Sequence, residues 1–369
     1  MPRADEPLNV SEFEALARDR MEPSAYDYFA GAAGDERTLA ENRLAFTRIA
    51  LRPRVLVDVT TINLQTTLLG EPLKLPVLLA PTALNRLGHP DGELAAARAA
   101  GSAGTLMVVS TNASSSLEEI AAVARGPLWF QLYVYKDRAV TRDLLQRAEA
   151  SRYRAVVLTV DMPRMGYRER DLRNRFTLPA GVSMRNLERA GRPDAASWTA
   201  DSSFSAYVQY ELDPSLTWEA IGWLKSLTSL PILVKGILRP DDAERAVAAG
   251  ASGVIVSNHG GRQLDGAIAT IDALPDIADR IAGRVPVLID GGVRRGIDVL
   301  KALALGARAV LIGRPYLWGL AADGEAGVAR VLSMLRDELE LAMALAGCPV
   351  LDSVNRSLVH GSLSTLERP

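Results

Sequence analysis

Residues 76–83, Pro76-Val77-Leu78-Leu79-Ala80-Pro81-Thr82-Ala83, read as a short, wholly apolar strand that ends in a proline turn. A strand with no polar alternation belongs in a parallel sheet covered on both faces. An open dinucleotide-binding sheet would place a glycine-rich loop after its first strand, and none follows this one. The same rhythm continues along the chain. Runs rich in Val, Ile and Leu recur at Thr105–Ser110, Leu128–Tyr133, Ala155–Asp161, Ile232–Lys235, Gly253–Ser257, Val285–Asp290 and Ala309–Gly313. Amphipathic, alanine-rich segments such as Gly92–Ala100, Leu117–Ala124, Asp241–Ala249 and Gly296–Leu305 separate them. With Val77–Pro81 the runs number eight, and eight βα units predict an α/β fold of the closed (β/α)8 TIM-barrel type.

Outside this rhythm lie two segments. Residues 1–75 predict an N-terminal helical extension, with a helix near Val10–Arg20 capped by Ser11 and the aromatic cluster Tyr26-Asp27-Tyr28-Phe29 beyond it. Residues 162–214, after strand 4, are rich in polar residues, Gly and Pro and lack periodicity. A loop of that length in a compact barrel reads as an active-site lid. The last helix, Gly324–Ala346, is expected to close the barrel, which then spans 76–346. Barrels run past ~200 residues as one unit, so residues 1–369 are expected to form a single domain.

Composition narrows the function. Hydrophobic residues make up 48% of the chain and charged residues 23%, enough to bury a sizeable core. With a net charge of −2 and no basic block, the electrostatic footprint of nucleic-acid binding is absent and small-molecule partners are expected. The polar first ten residues and the lack of any run of ~18 apolar residues argue against secretion and membrane spanning. The single cysteine, Cys348, excludes an internal disulfide and fits a reducing, cytoplasmic setting, with the side chain expected to be a small buried apolar group.

Barrel enzymes carry their chemistry at the C-terminal ends of the strands. Those ends hold Gln131 and Tyr133, Thr159 and Asp161, Lys235, Ser257 to His259, Asp290, and Gly313 with Arg314. His259 stands between an apolar strand and two glycines, three residues before Arg262, so a base and a carboxylate clamp can face one small volume. A lone histidine in a turn is more often structural, but the company of Arg262 favours catalysis. His89 and His360 lack that company. Glycines after strands 7 and 8, in Asp290-Gly291-Gly292-Val293-Arg294 and Gly313-Arg314, let backbone N–H groups approach a phosphate while the arginines neutralise it. Lys235 closes an apolar strand and needs an anionic partner, either a ligand ring that gains charge or an acid such as Asp290. A Schiff-base role is a third reading. Asp161 either orients an imidazolium or caps the following turn.

Taken together, Ser257-Asn258-His259-Gly260-Gly261-Arg262-Gln263-Leu264-Asp265, Ala80-Pro81-Thr82-Ala83, Gln131-Leu132-Tyr133, Thr159-Val160-Asp161, Lys235-Gly236 and Asp290–Gly296 resemble the FMN-dependent L-2-hydroxy-acid oxidase and dehydrogenase family. The resemblance covers Tyr26 to Cys348. It implies oxidation of an L-2-hydroxy acid to the 2-oxo acid with FMN as cofactor, by an oxidase that uses O2 as acceptor and yields H2O2 or, as the alternative, by a soluble dehydrogenase that uses another electron acceptor. It also implies a homo-oligomer, a tetramer or octamer. By this resemblance Pro81, Thr82, Ala83, Ser110, Gln131, Thr159 and Ser257 contact the cofactor, and Lys235 lies at the flavin edge that gains charge on reduction. Asp290, Gly291, Gly292, Arg294, Gly313 and Arg314 hold its phosphate. Tyr28, Tyr133, Arg168 and Arg262 position the substrate, His259 takes the hydroxyl proton, and Asp161 steadies the imidazolium. Catalytic roles thus fall to His259, Asp161, Tyr133 and Lys235.

One residue departs from the pattern. Asn112 stands where glycolate-oxidising members carry a tryptophan, so a larger 2-substituent is expected to fit unless Met165 or Tyr167 fills the space. An FMN-dependent barrel isomerase is the competing enzyme class, but it has no use for His259 beside two arginines. A membrane dehydrogenase would carry an apolar insert where 181–212 is polar. A non-catalytic flavin carrier would not need His259 and Arg262 together.

Overall fold

The computed structural model describes residues 6–188 and 211–360. Residues 189–210, the middle of the segment read as a lid, lie outside the described residues. Three helices precede the barrel: α1 (Val10–Arg20), α2 (Pro23–Ala30) and α3 (Arg37–Thr47). The α1 cap is Asn9, not Ser11, because the helix starts at Val10, two residues earlier than a Ser11 cap requires. The Asn9 side chain accepts from Glu12 N at 3.1 Å, satisfying one of the otherwise orphaned first-turn donors.

Eight strands follow: β1 (Val77–Leu79), β2 (Met107–Val109), β3 (Leu128–Leu132), β4 (Val156–Thr159), β5 (Ile232–Ile237), β6 (Gly253–Val256), β7 (Val287–Asp290) and β8 (Ala309–Ile312). They pair in chain order and close into a barrel, all neighbours parallel. A helix follows each strand: α4 (Gly92–Ser102), α5 (Leu117–Val123), α6 (Arg138–Ala150), α7 (Glu219–Lys225), α8 (Pro240–Ala248), α9 (Thr270–Ile281), α10 (Gly296–Ala304) and α11 (Arg314–Ala346). The expected (β/α)8 architecture is present. The final helix begins ten residues before Gly324, and Asp323-Gly324 is instead a break inside it. α11 packs on α1, α4 and α10, so the N-terminal extension and the last helix close the outer ring together.

Side-chain alternation divides the core in two. Val77, Leu79, Val109, Phe130, Val156, Val234, Val254, Ile289 and Val310 face the helices. Leu78, Val108, Trp129, Val157, Leu233, Ile255, Leu288 and Leu311 fill the barrel interior. That interior cluster also contains Leu68 and Leu73, from an antiparallel hairpin formed by Thr66–Leu68 and Glu71–Leu73. The hairpin plugs the end of the barrel where the strands begin, a role its short sequence did not announce. Leu73 is 3% exposed, so Leu73→Ala should leave a cavity and lower stability by ~2–5 kcal/mol. Urea unfolding reads the loss, while the exposed control Leu8→Ala should stay within ~0.5 kcal/mol of wild type.

Candidate active site

Continuing the inward alternation one step past the interior residues reaches Ala80, Ser110, Gln131, Thr159, Lys235, Ser257, Asp290 and Gly313 at the mouth of the barrel. Nearly all expected site residues line a single cavity there, among them Tyr28, Pro81, Thr82, Ala83, Asn112, Tyr133, Arg168, His259, Arg262, Gly291, Gly292, Arg294 and Arg314. Ser257 and Asp161 do not. Each bonds instead to a side chain that does, Ser257 to Lys235 and Asp161 to His259. Ser257 is fully buried, where its hydroxyl accepts from Lys235 Nζ at 2.9 Å and from His259 N at 3.1 Å.

His259 follows β6 in a left-handed conformation, φ 58°, which turns its ring back over the barrel mouth. Its Nδ1 lies 2.9 Å from Asp161 Oδ1. A carboxylate at that distance makes Nδ1 the protonated nitrogen and leaves Nε2 with a free lone pair. Asp161 is two residues beyond β4, and its approach depends on Gly236: a Cβ there would lie 2.6 Å from the Asp161 Cβ. Burial lowers the imidazole below its usual value and outweighs the opposing pull of Asp161. Burial raises the Asp161 carboxyl, but His259 and Lys235 outweigh it and bring the group below its usual value. The ground state is therefore a neutral imidazole on an ionised carboxylate.

Lys235 takes the salt-bridge option, with Nζ 3.1 Å from Asp290 Oδ2. Burial lowers its affinity for protons, yet Asp290 and Asp161 outweigh that cost and the ammonium titrates above its usual range. A charged lysine so paired is no Schiff-base nucleophile in this state.

Arg168 and Arg262 line the cavity together, and among the described residues neither forms an ion pair. Arg262 donates through Nη1 to Tyr28 O at 2.6 Å and Gly31 O at 2.8 Å, and its guanidinium lies 5.1 Å from the Tyr28 ring centroid. Arg168 is buried and donates through Nε to Arg262 O at 3.3 Å. Burial, then the neighbouring Arg262, pushes its value down to about 10. Two adjacent cations that form no ion pair among the described residues, with Asp171 acting on both only through space, form a site for a carboxylate. Tyr133 is buried beside them, and burial, then Asp161, raises its phenol, so it remains a neutral donor.

The loops after β7 and β8 depart in part from the expected phosphate cradle. Gly292 sits at φ 85°, and a Cβ there would lie 1.9 Å from Asn42 O, so this glycine is required by the close approach of α3. Asn42 and Asn258 exchange two amide hydrogen bonds, 2.9 and 2.8 Å, fastening α3 to the His259 loop. The signal for Asn42 in the sequence was a polar residue on the buried stripe Thr38, Asn42, Ala45 and Phe46. Arg314 spends three donors on Phe29 O, Gly260 O and Gly31 O at 2.8–3.0 Å, so it first ties α2 to the β6 loop. Arg294 keeps an unpartnered buried Nε, and burial lowers its guanidinium to about 10.

Five cavity residues carry a buried polar atom with no partner among the described residues: Asn112 Oδ1, Gln131 Nε2, Thr159 Oγ1, Asp290 Oδ1 and Arg294 Nε. Buried polar groups are ordinarily satisfied. A cluster of orphans around one cavity fits a polar ligand, with donors and acceptors suited to a flavin ring and its ribityl phosphate. Among the described residues no group of His, Cys, Asp and Glu is placed to hold a metal ion, and no helix is long and apolar enough to cross a membrane. Cys348 is buried as expected. His89 accepts from Asp91 N at 3.1 Å on Nδ1, and His360 is exposed, so neither joins the site.

The FMN-dependent dehydrogenase family profile matches residues 17–361. An L-lactate oxidase of Nostoc sp. is 53% identical over 364 residues, covering 98% of this chain and all of that protein. A glycolate oxidase of Spinacia oleracea is 53% identical over 351 residues, covering 95% of this chain and 94% of that one. Among solved structures, a mandelate oxidase superposes with a TM-score of 0.88 at 44% identity, covering 96% of this chain and 98% of that one. The cavity that binds and the chain that builds it thus point the same way: this protein belongs to the FMN-dependent dehydrogenase family.

Proposed function

We propose that the chain is an (S)-2-hydroxy-acid oxidase that converts a 2-hydroxy acid and O2 to the 2-oxo acid and H2O2. The observation that carries this reading is His259, held by Asp161 through Nδ1, in one cavity with Arg168 and Arg262, neither of which forms an ion pair among the described residues. Bound FMN supplies the two-electron acceptor for the substrate Cα hydrogen. Pro81, Thr82, Ala83, Ser110, Gln131 and Thr159 hold its ring. Lys235, positioned by Ser257 and Asp290, offers positive charge to that ring. Gly291, Gly292, Arg294, Gly313 and Arg314 serve its phosphate. Asp290 is better suited to accept from a ribityl hydroxyl, since a carboxylate repels phosphate.

The residues around the substrate divide the work. Arg168 and Arg262 bind the carboxylate, Tyr28 and Tyr133 orient the reacting carbon, and Nε2 of His259 accepts the hydroxyl proton. Asp161 then stabilises the imidazolium without taking the proton. The described part of the segment 162–214, read as a lid, delivers Met162, Met165 and Arg168 to the cavity.

Substrate size is part of the same proposal. Asn112 lines the cavity, and of the two candidate fillers Met165 reaches it while Tyr167 is 69% exposed. A flexible thioether adapts to the ligand, so room for a 2-substituent larger than that of glycolate remains. The homo-oligomer reading, a tetramer or octamer, draws on exposed Val55, Leu56, Leu341 and Leu345. The Arg54 N to Ala346 O bond makes that loop and the end of α11 neighbours, and such apolar surface is usual at subunit contacts. Sedimentation velocity reads the subunit count. The expected cytoplasmic location belongs to the proposal as well, with cell fractionation as its check.

Anaerobic mixing with a panel of 2-hydroxy acids should bleach the flavin, and air should restore it. Restoration only by an added dye would make the enzyme a dehydrogenase with another acceptor. His259→Ala should slow flavin reduction by ~10²–10⁴ while FMN stays bound; near-normal reduction would remove His259 from the chemistry.

The base must be neutral, and the His259 value lies below the ordinary one of about 6.5. kcat/KM should therefore be flat near neutrality and fall as pH drops through that lower value. Asp161→Asn removes the group that raises it, so the acid limb should move to still lower pH, beneath a reduced plateau. An upward move would overturn the assigned pair.

Finally, longer-chain or aromatic 2-hydroxy acids should exceed glycolate in kcat/KM. Asn112→Trp should reverse the order by refilling the space, within the ~1–3 kcal/mol that each methylene commands in an apolar pocket. An unchanged ranking would show that the lid already fills the gap.

A further inference from the structure

We propose that Gln263 is a positioning residue that holds Asp161 and Arg168 in register with His259 and Arg262. The inference rests on the functional reading of that site and assigns a task to a side chain outside the cavity lining. The last ladder bond of β4 is Val160 N to Lys235 O, 2.9 Å. Beyond it the backbone leaves the sheet, yet the next eight residues carry both the carboxylate that orients His259 and the arginine beside Arg262. Some other contact has to fix where that stretch lies.

Gln263 provides it with one rigid group. Its Nε2 donates to Asp161 O at 3.0 Å and to Arg164 O at 2.8 Å, while its Oε1 accepts from Gly166 N at 3.1 Å. A planar amide has two N–H bonds and a carbonyl in a fixed arrangement, and here all three directions end on backbone atoms of 161–166. The seat is close-fitting: a Cβ on Gly166 would lie 2.3 Å from Arg262 O. Arg168 completes the seam through its bond from Nε to Arg262 O. Gln263 follows Arg262 directly and is four residues from His259, so it belongs to the loop that carries the base.

The consequence is specific. A shift of 161–168 moves two functions together, the Asp161 contact on His259 and the Arg168 contact at the carboxylate site. A side chain that only stabilised the fold would alter neither once the protein is folded and loaded. Loss of Gln263 should therefore lower the limiting rate of flavin reduction and raise the half-saturating substrate concentration at the same time.

The test is anaerobic stopped-flow reduction of the FMN-loaded protein by the 2-hydroxy acid that wild type uses best, with FMN content and thermal midpoint measured alongside. Q263M keeps the volume and removes all three bonds. Q263E keeps the acceptor for Gly166 N but sets a carboxylate against two carbonyls. Both should lose roughly tenfold to a hundredfold in limiting rate and about tenfold in half-saturation, the scale of a misplacement near 1 Å. FMN content and midpoint should stay close to wild type. Rate and half-saturation within twofold of wild type in either folded variant would overturn the inference. So would failure of both variants to yield folded, loaded protein, which would make Gln263 a stability element. If no 2-hydroxy acid reduces the wild-type flavin, the functional reading fails instead, and the wild-type control shows which of the two has failed.

Discussion

The alternation of side chains along a closed eight-stranded sheet governs everything above it. Inside the barrel only one parity of each strand can point at the axis, and that parity must be apolar and bulky to fill the space, as Leu78, Val108, Trp129 and Leu288 do. One step further along each strand the interior ends. The same parity then presents Ser110, Gln131, Lys235 and Asp290 to a concave mouth. The reactive groups converge because the apolar core beneath them is in register.

Burial at that mouth makes each charge dependent on its neighbours. Lys235 remains cationic because Asp290 is 3.1 Å away, and His259 remains neutral because burial outweighs Asp161. Among the described residues Arg168 and Arg262 form no ion pair, with only the through-space charge of Asp171 to offset them, an arrangement that costs stability until an anion arrives. The orphaned atoms of Gln131, Thr159 and Arg294 tell the same story for a larger polar ligand. The protein pays for an arrangement complementary to molecules it has yet to bind, which is the usual condition of a preorganised site.

The loop from Ser257 to Asp265 is where the separate parts meet. Ser257 supports Lys235, Asn258 grips Asn42 of α3, and His259 reaches Asp161. Arg262 holds the carbonyls at the end of α2, Gln263 holds the stretch after β4, and Asp265 accepts from Asp35 N and Thr38 N at the start of α3. The N-terminal extension is therefore a wall of the site as well as a cover for the barrel. Its attachment explains why residues as distant as Tyr28 and Arg262 act in one cavity.

Much of this was legible in the chain itself. Eight apolar runs with intervening amphipathic segments are local patterns, and local patterns determine which face of a strand or helix is buried. Strand-end residues could be named because inward parity and chain order place them at one mouth whatever the details. What the chain alone did not decide were contacts between residues far apart in sequence. Nothing local pairs Asn42 with Asn258, inserts Leu68 and Leu73 into the barrel floor, or turns Arg314 toward the carbonyls of Phe29, Gly31 and Gly260. Ser257 and Asp161 read as site residues, and only packing made them partners of the lining residues Lys235 and His259 rather than part of the lining. Even the α1 cap turned on a shift of two residues in where the helix starts, Asn9 for Ser11. Periodicity determines a side chain's direction from its own backbone; its partner depends on which other segments packing brings within a few ångströms, and that is settled only by the whole fold.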